Sequence, residues 1–312
     1  MKIPVLPYAA LAAALLTACG GADEAPARLH RIDRDLAAGH APADTLGQRA
    51  VATLFALSGY GEPTDSALRA YPSKPSIAAH LSAVDSAFAD MGAQERALGR
   101  IAARMPEVLP GVAVPHFFAV ISPFNQSVIV ADTMVFVGLN HYLGTEYPAY
   151  GYFPDFIRGR KVGERLPADV AEAVVRVNRP FAPSGNPTLL QAMLYEGAVA
   201  EAVARLTGMD AEEAAGFDRG QLGFLAAHED EIWRLMAERQ WLYSSDPAVL
   251  RGFISLSPAT TLLSPETPGA AGRWVGTRIV EAYLKSHPEA SVSDLLSPEF
   301  YTDPASLRDS GY

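Results

Sequence analysis

Two carboxylates stand where apolar side chains are expected. Glu196 lies among Leu189, Met193, Ala200 and Val203 on one face of a helical stretch over 187–206. Glu229 falls inside a 3-4-3-4 stripe of Leu222, Leu225, Ile232 and Met236 on a stretch over 219–241. A carboxylate on a buried stripe must find a donor or take up a proton. As a free pair, Glu196 and Glu229 would act as general acid and base or as metal ligands, with a histidine such as His141 brought in from elsewhere in the chain. As a structural pair, they would be held by arginine, tryptophan or tyrosine donors, with Trp233, Arg273, Trp274 and Arg278 as candidates. The sequence favours the structural pair. It therefore leads us to expect a buried polar cluster drawn from Glu196, Glu229, Trp274, Arg278 and His141, with no metal and no cofactor.

The usual catalytic signatures are missing, so no catalytic residue is assigned. There is no G-x-S-x-G elbow and no G-x4-G-K-[ST] phosphate loop. His228-Glu229-Asp230-Glu231 approaches HExxH, but position 232 is isoleucine. The 7 histidines include no pair at metal-binding spacing, and the 1 cysteine rules out both a cysteine-based zinc site and an intrachain disulfide. A net charge of −10, from 25 basic and 35 acidic residues, argues against a nucleic-acid partner. With 49% apolar and 19% charged residues, the 312-residue chain is globular.

The lone thiol has its own chemistry. Lys2 precedes an apolar run over 9–16, which falls short of the about 20 residues that a membrane span needs and suits a signal-peptide core. Leu16-Thr17-Ala18-Cys19 resembles the bacterial lipobox, in which cleavage precedes the cysteine and the thiol is acylated. On this reading residues 1–18 are a lipoprotein signal peptide. Residues 19–29 are a flexible tether, and 30–312 form a single domain. A diacylglyceryl group and a palmitate on Cys19 would anchor the chain to an envelope membrane, on the periplasmic face or at the cell surface.

These residues must be positioned by an α+β scaffold. Helical patterning covers 46–57 and 77–104, with Pro106 and Pro110 ending the second stretch. Apolar, β-branched runs over 112–121 and 127–139, the second interrupted by Ala131-Asp132, read as strands of a small antiparallel sheet, joined at 123–126. Pro115 suggests that the first is an edge strand or bulged. The aromatic stretch over 142–156 would cap the core or line a groove. From 167 onward the chain is mostly helical, with helices over 167–178, 187–206, 219–241, 246–254 and 271–286.

Several segments in order resemble the GldB-type gliding-motility lipoproteins of Bacteroidetes. Arg31-Ile32-Asp33-Arg34-Asp35-Leu36 is similar to their RFDrdL opening. VGLNHYLG over 137–144, followed by Tyr147-Pro148-Ala149-Tyr150, is similar to aLDmYLG…Y. NPTLLQAMLYEG over 186–197, HEDEIW over 228–233 and WVGTRIVEAYL over 274–284 resemble NPLLdqMIyyGK, nE..iW and wiGwqIVraYM. The chain departs from the pattern at Asn140-His141 and at Glu196-Gly197-Ala198. Ala22-Asp23-Glu24 resembles the acidic lipoprotein export signal of the same bacteria.

The resemblance implies a non-enzymatic envelope lipoprotein, associated with gliding motility or linked secretion machinery, with other envelope proteins as partners. The family is in turn similar to predicted zinc-dependent proteases that carry an HExxH helix and a later Glu-Gly. Here Glu196-Gly197 remains, while Ala171-Glu172-Ala173-Val174-Val175 stands in place of HExxH. Zinc catalysis needs three protein ligands and a water. The resemblance thus implies a degenerate, zincin-like scaffold without metal. The competing reading is a lipid-anchored, metallopeptidase-like hydrolase using Glu196 and Glu229.

Overall fold

A computed structural model describes residues 25–122 and 125–312. The chain is α+β, with a small sheet and a helical C-terminal half. The strands are β1 (Leu29–His30), β2 (His116–Val120), β3 (Val128–Ala131) and β4 (Met134–Gly138), in the order β1-β2-β4-β3.

The sheet is mixed, not antiparallel as the sequence suggests. β1 and β4 both pair parallel to β2, and only β3 and β4 pair antiparallel. The run over 127–139 is not one strand but the hairpin itself, turning at Asp132, where φ is 51°. β2 and β3 do run in opposite senses, but β4 lies between them. That insertion buries β4 along its whole length and makes β2 internal. Pro115 therefore does not mark an edge; it lies one residue before the paired register begins at His116.

Two expected helices are each broken. The stretch over 77–104 is three helices, Pro75–Ala78, Leu81–Ala87 and Gly92–Val108, and Pro106 lies inside the last of them rather than ending it. The stretch over 219–241 divides at His228 into Arg219–Ala227 and Glu229–Glu238. The His228 ring stacks on Phe224 with centroids 4.2 Å apart, and its Nδ1 lies 2.8 Å from the Phe224 carbonyl. A side chain competing for a helical carbonyl favours an end there.

The centre of the helical half is the Leu189–Thr207 helix. It begins with a capping box between Thr188 and Gln191 and is buried on nearly all sides. It crosses the Ala271–Ser286 helix at Gly197 and Gly276. A Cβ at Gly197 would overlap the Gly276 carbonyl, and one at Gly276 would overlap the Met193 carbonyl.

Residues 25–29 are docked rather than loose in the structure. The Ala27 amide donates to the Glu95 carbonyl at 2.9 Å and the Leu29 amide to Glu95 Oε1 at 3.1 Å. Gly99 makes room for Ala25 and Pro26.

The crossing gives a direct test. Gly197→Ala is expected to cost about 3 kcal/mol in urea unfolding, because two backbones must part. Gly223→Ala, where a Cβ meets nothing within 4 Å, is expected to gain about 0.5–1 kcal/mol from helix propensity. Equal stability of Gly197→Ala and the parent would show that the helices are not locked together.

Candidate functional site

Three helices converge on Glu196. The Leu166–Asn178 helix carries Glu172 and Arg176 one turn apart, and Arg176 Nε donates to Glu172 Oε1 at 2.9 Å. The Arg176 fork reaches across to the central helix, donating from Nη1 to Glu196 Oε1 at 3.0 Å and from Nη2 to Oε2 at 2.6 Å. Arg273, on the Ala271–Ser286 helix, lies 3.4 Å from Glu196 Oε2 and 3.7 Å from Glu172 Oε1. Its Nε also donates to the Ile254 carbonyl at 2.9 Å.

This geometry decides what Glu196 can do. Its side chain is 10% exposed, and both carboxylate oxygens accept from Arg176. Burial pushes the Glu172 carboxyl up, but Arg176 and then Arg273 outweigh it and hold the group below its ordinary value. Burial disfavours the charge on Arg176, but Glu196 and Glu172 outweigh that and raise its pKa above the usual arginine range. The space left among these residues is about 10 Å³, at most one water. A proton acceptor here would first have to break a bidentate ion pair, and a metal cation would meet two guanidinium charges. Ala171 and Val175, at the histidine positions of the peptidase resemblance, are fully buried in the core.

Glu229 belongs to a second network. Arg278 Nε donates to its Oε1 at 3.1 Å and the Tyr312 hydroxyl to the same oxygen at 2.8 Å. Arg278 Nη1 also donates to Glu281 Oε2 at 3.0 Å, and the Arg278 guanidinium lies 6.0 Å from the Trp274 ring. The Trp274 indole N–H donates to Glu212 Oε1 at 2.9 Å, and Trp233 packs edge-on against Tyr312.

His141 is in neither network. It is buried, with Lys161 Nζ 3.1 Å from Nδ1 and Ser122 Oγ 3.2 Å from Nε2. Asn140 clamps the Ser122 backbone, accepting from its amide at 2.9 Å and donating to its carbonyl at 2.6 Å. Ser122 Oγ donates to the Gln126 carbonyl at 3.0 Å. With Lys161 donating to Nδ1, the ring proton sits on Nε2 and points at the serine oxygen. That polarity positions Ser122 but does not activate it as a nucleophile.

The expected single cluster is therefore two separate ion-pair systems and a histidine corner. Arg273 and Arg278 are the donors foreseen for the two carboxylates; Arg176 and Tyr312 were missed. The spacing of Glu172 and Arg176 was a readable signal for the first. Nothing in the sequence tied Tyr312 to Glu229. The aromatic stretch mostly caps the core: Tyr150 is buried and donates to the Asn140 carbonyl at 2.6 Å, while Tyr152 is exposed. Cys19 lies outside the described residues.

Among the described residues, no group of three or more His, Cys, Asp or Glu side chains converges to hold a metal ion. Nor is any helix among them long and apolar enough to cross a membrane. The fold and site describe an α+β protein whose inward carboxylates are committed to arginines. A family profile described as gliding motility protein GldB matches residues 23–312, and the chain belongs to that family. No curated protein and no solved structure matches the chain, so the comparisons supply no peptidase relative.

The network makes stability depend on acid in a defined direction. Because the Glu172 carboxyl is held below its ordinary 4.5 in the folded chain, the unfolded chain takes up that proton first. Its stabilising contribution is present above about pH 4.5 and is lost as pH falls through the folded value. Burial raises the Asp169 carboxyl above 3.8, which acts in the opposite sense. Glu172→Gln is expected to be less stable than the parent near neutral pH and to lose less stability between about pH 5 and about pH 3. Glu196→Ala, which leaves Arg176 and Arg273 to share Glu172, is expected to cost about 2–3 kcal/mol. Urea titrations across this range measure both.

Proposed function

We propose that the chain is a non-enzymatic lipoprotein of the cell envelope, anchored through an acyl-modified Cys19, which serves gliding motility or the linked secretion machinery by contact with other envelope proteins. The observation that carries this reading is the bidentate pairing of Glu196 with Arg176, which commits to structure the carboxylate a hydrolase would need free. Family membership supports the motility context. The docking of residues 25–29 supports a short leash, since the six residues 19–24 span about 20 Å at most. The anchor would then hold the Gly92–Val108 helix, on which that segment lies, close to the lipid.

Two measurements test the proposal. Metabolic labelling with a palmitate analogue is expected to mark the parent and not Cys19→Ser, and the variant is expected to leave the membrane fraction. Elemental analysis of the purified full chain is expected to find no stoichiometric zinc. Zinc at one per chain, lost in Glu196→Ala, would favour a hydrolase instead. An unlabelled parent chain recovered in the soluble fraction would remove the anchor.

A further inference from the structure

A cleft of about 450 Å³ opens beside the charge network, between the 155–165 segment, the 213–221 segment and Gly269-Ala270. Its lining includes Arg160, Arg165 and Arg219 together with apolar Phe156 and Phe217. Arg219 is exposed, whereas Arg160 and Arg165 are largely covered.

The wall is built around Arg160. Its Nη1 donates to the Gly216 carbonyl at 3.1 Å. Gly216 has φ 96°, and a Cβ there would overlap the Arg160 guanidinium, so only glycine allows this contact. That carbonyl is the one hydrogen-bond acceptor Arg160 has among the described residues, and no carboxylate there forms an ion pair with it. Arg165 directs Nη1 to the Glu213 carbonyl at 3.0 Å and Nη2 to Asp169 Oδ1 at 3.1 Å. Its Nε–H is buried with no acceptor.

Among the inward groups the arginines outnumber the carboxylates by one. Arg160, Arg165, Arg176 and Arg273 meet three inward carboxylates, Asp169, Glu172 and Glu196. Four acidic residues also line the cleft, so the excess is confined to the buried wall at Arg160. Asp155 pairs with Arg158, Asp218 caps the next helix through the Gln221 amide, and Glu164 is exposed. The fourth, Glu213, meets Arg165 through its backbone carbonyl, and its carboxylate stands in the lining as a negative charge that an incoming anion must avoid. Burial, and then Arg165, push the Arg160 guanidinium below its ordinary value, and Asp169 and Glu172 offset this only in part.

We propose that this cleft binds an oxyanion, the carboxylate or phosphate group of a small ligand, on the Arg160 guanidinium, with the ligand's apolar part against Phe156 and Phe217. A planar guanidinium takes two oxygens of such a group in parallel, and the bound anion gives Arg160 the ion-pair partner it lacks. The site does not depend on lipidation or on the motility reading.

Calorimetric titration of the full chain in detergent, at constant ionic strength, tests it with inorganic phosphate and separately with N-acetylglycine. Saturable one-to-one binding of at least one is expected, weakened about tenfold or more in Arg160→Ala. It should be unchanged in Arg234→Ala, an exposed arginine paired with Glu238. Phosphate alone assigns a phosphoryl ligand, and N-acetylglycine alone a carboxylate; either result supports the site. If Arg160→Ala folds poorly, Arg160→Gln replaces it, and the parent titration stands without any variant. Absence of saturable binding of both anions to the parent, or equal affinity in the Arg160 variant, overturns the proposal.

Discussion

The backbone contact between Gly197 and Gly276 is the constraint on which the helical half depends. Two helices without side chains at their crossing approach until carbonyl meets backbone. Glu196 immediately precedes one glycine, and Arg273 lies one turn before the other. The approach therefore brings a carboxylate and a guanidinium within 3.4 Å in a site nearly closed to water. Arg176 then enters from the third helix and completes the neutralisation. A wider crossing would leave these charges buried and poorly paired, a state far more costly than the same charges in solvent. Packing and electrostatics are thus one arrangement here, and weakening either strains the other.

Much of this was legible from the residue pattern. The helices Thr45–Leu57, Leu166–Asn178, Leu189–Thr207 and Ala271–Ser286 fall close to where periodicity places them, because each buries an apolar face long enough to show. Glu196 and Glu229 stood out as polar residues on such faces, and arginine partners on the Ala271–Ser286 helix were foreseen for both. What sequence pattern cannot supply is the neighbour across a space. Arg176 reaches Glu196 from another helix, and Tyr312 reaches Glu229 from 83 residues away. The strands failed for a related reason. The interruption at Ala131-Asp132 is visible but too short to declare itself a turn, and parallel pairing leaves no local trace. His228 ends a helix through its own side chain, a local contact that hydrophobic periodicity does not register.

The distribution of charge separates two regions of the molecule. At the crossing, carboxylates and guanidiniums satisfy one another and leave almost no space. A short distance along the same network Arg160 is held by a carbonyl with no carboxylate paired to it, and there the packing opens into a cleft. The proposed action by contact needs places where the surface discriminates. Buried cations held by backbone carbonyls are rigid enough to do so, because the fork is set before any ligand arrives.

The way the chain enters the domain has a mechanical consequence. A pull applied upstream of Ala25 reaches the domain first through the amide bonds to Glu95 and the fit over Gly99, and then through the two-residue β1 at the edge of the sheet. Beyond it, the load passes to β2 and from there to β4, the strand buried along its whole length. Tension from an attached bilayer would therefore be divided between the sheet and, through the Gly92–Val108 helix, the Leu189–Thr207 helix, to which Arg100 and Arg104 tie it by bonds to the Thr207 and Arg205 carbonyls.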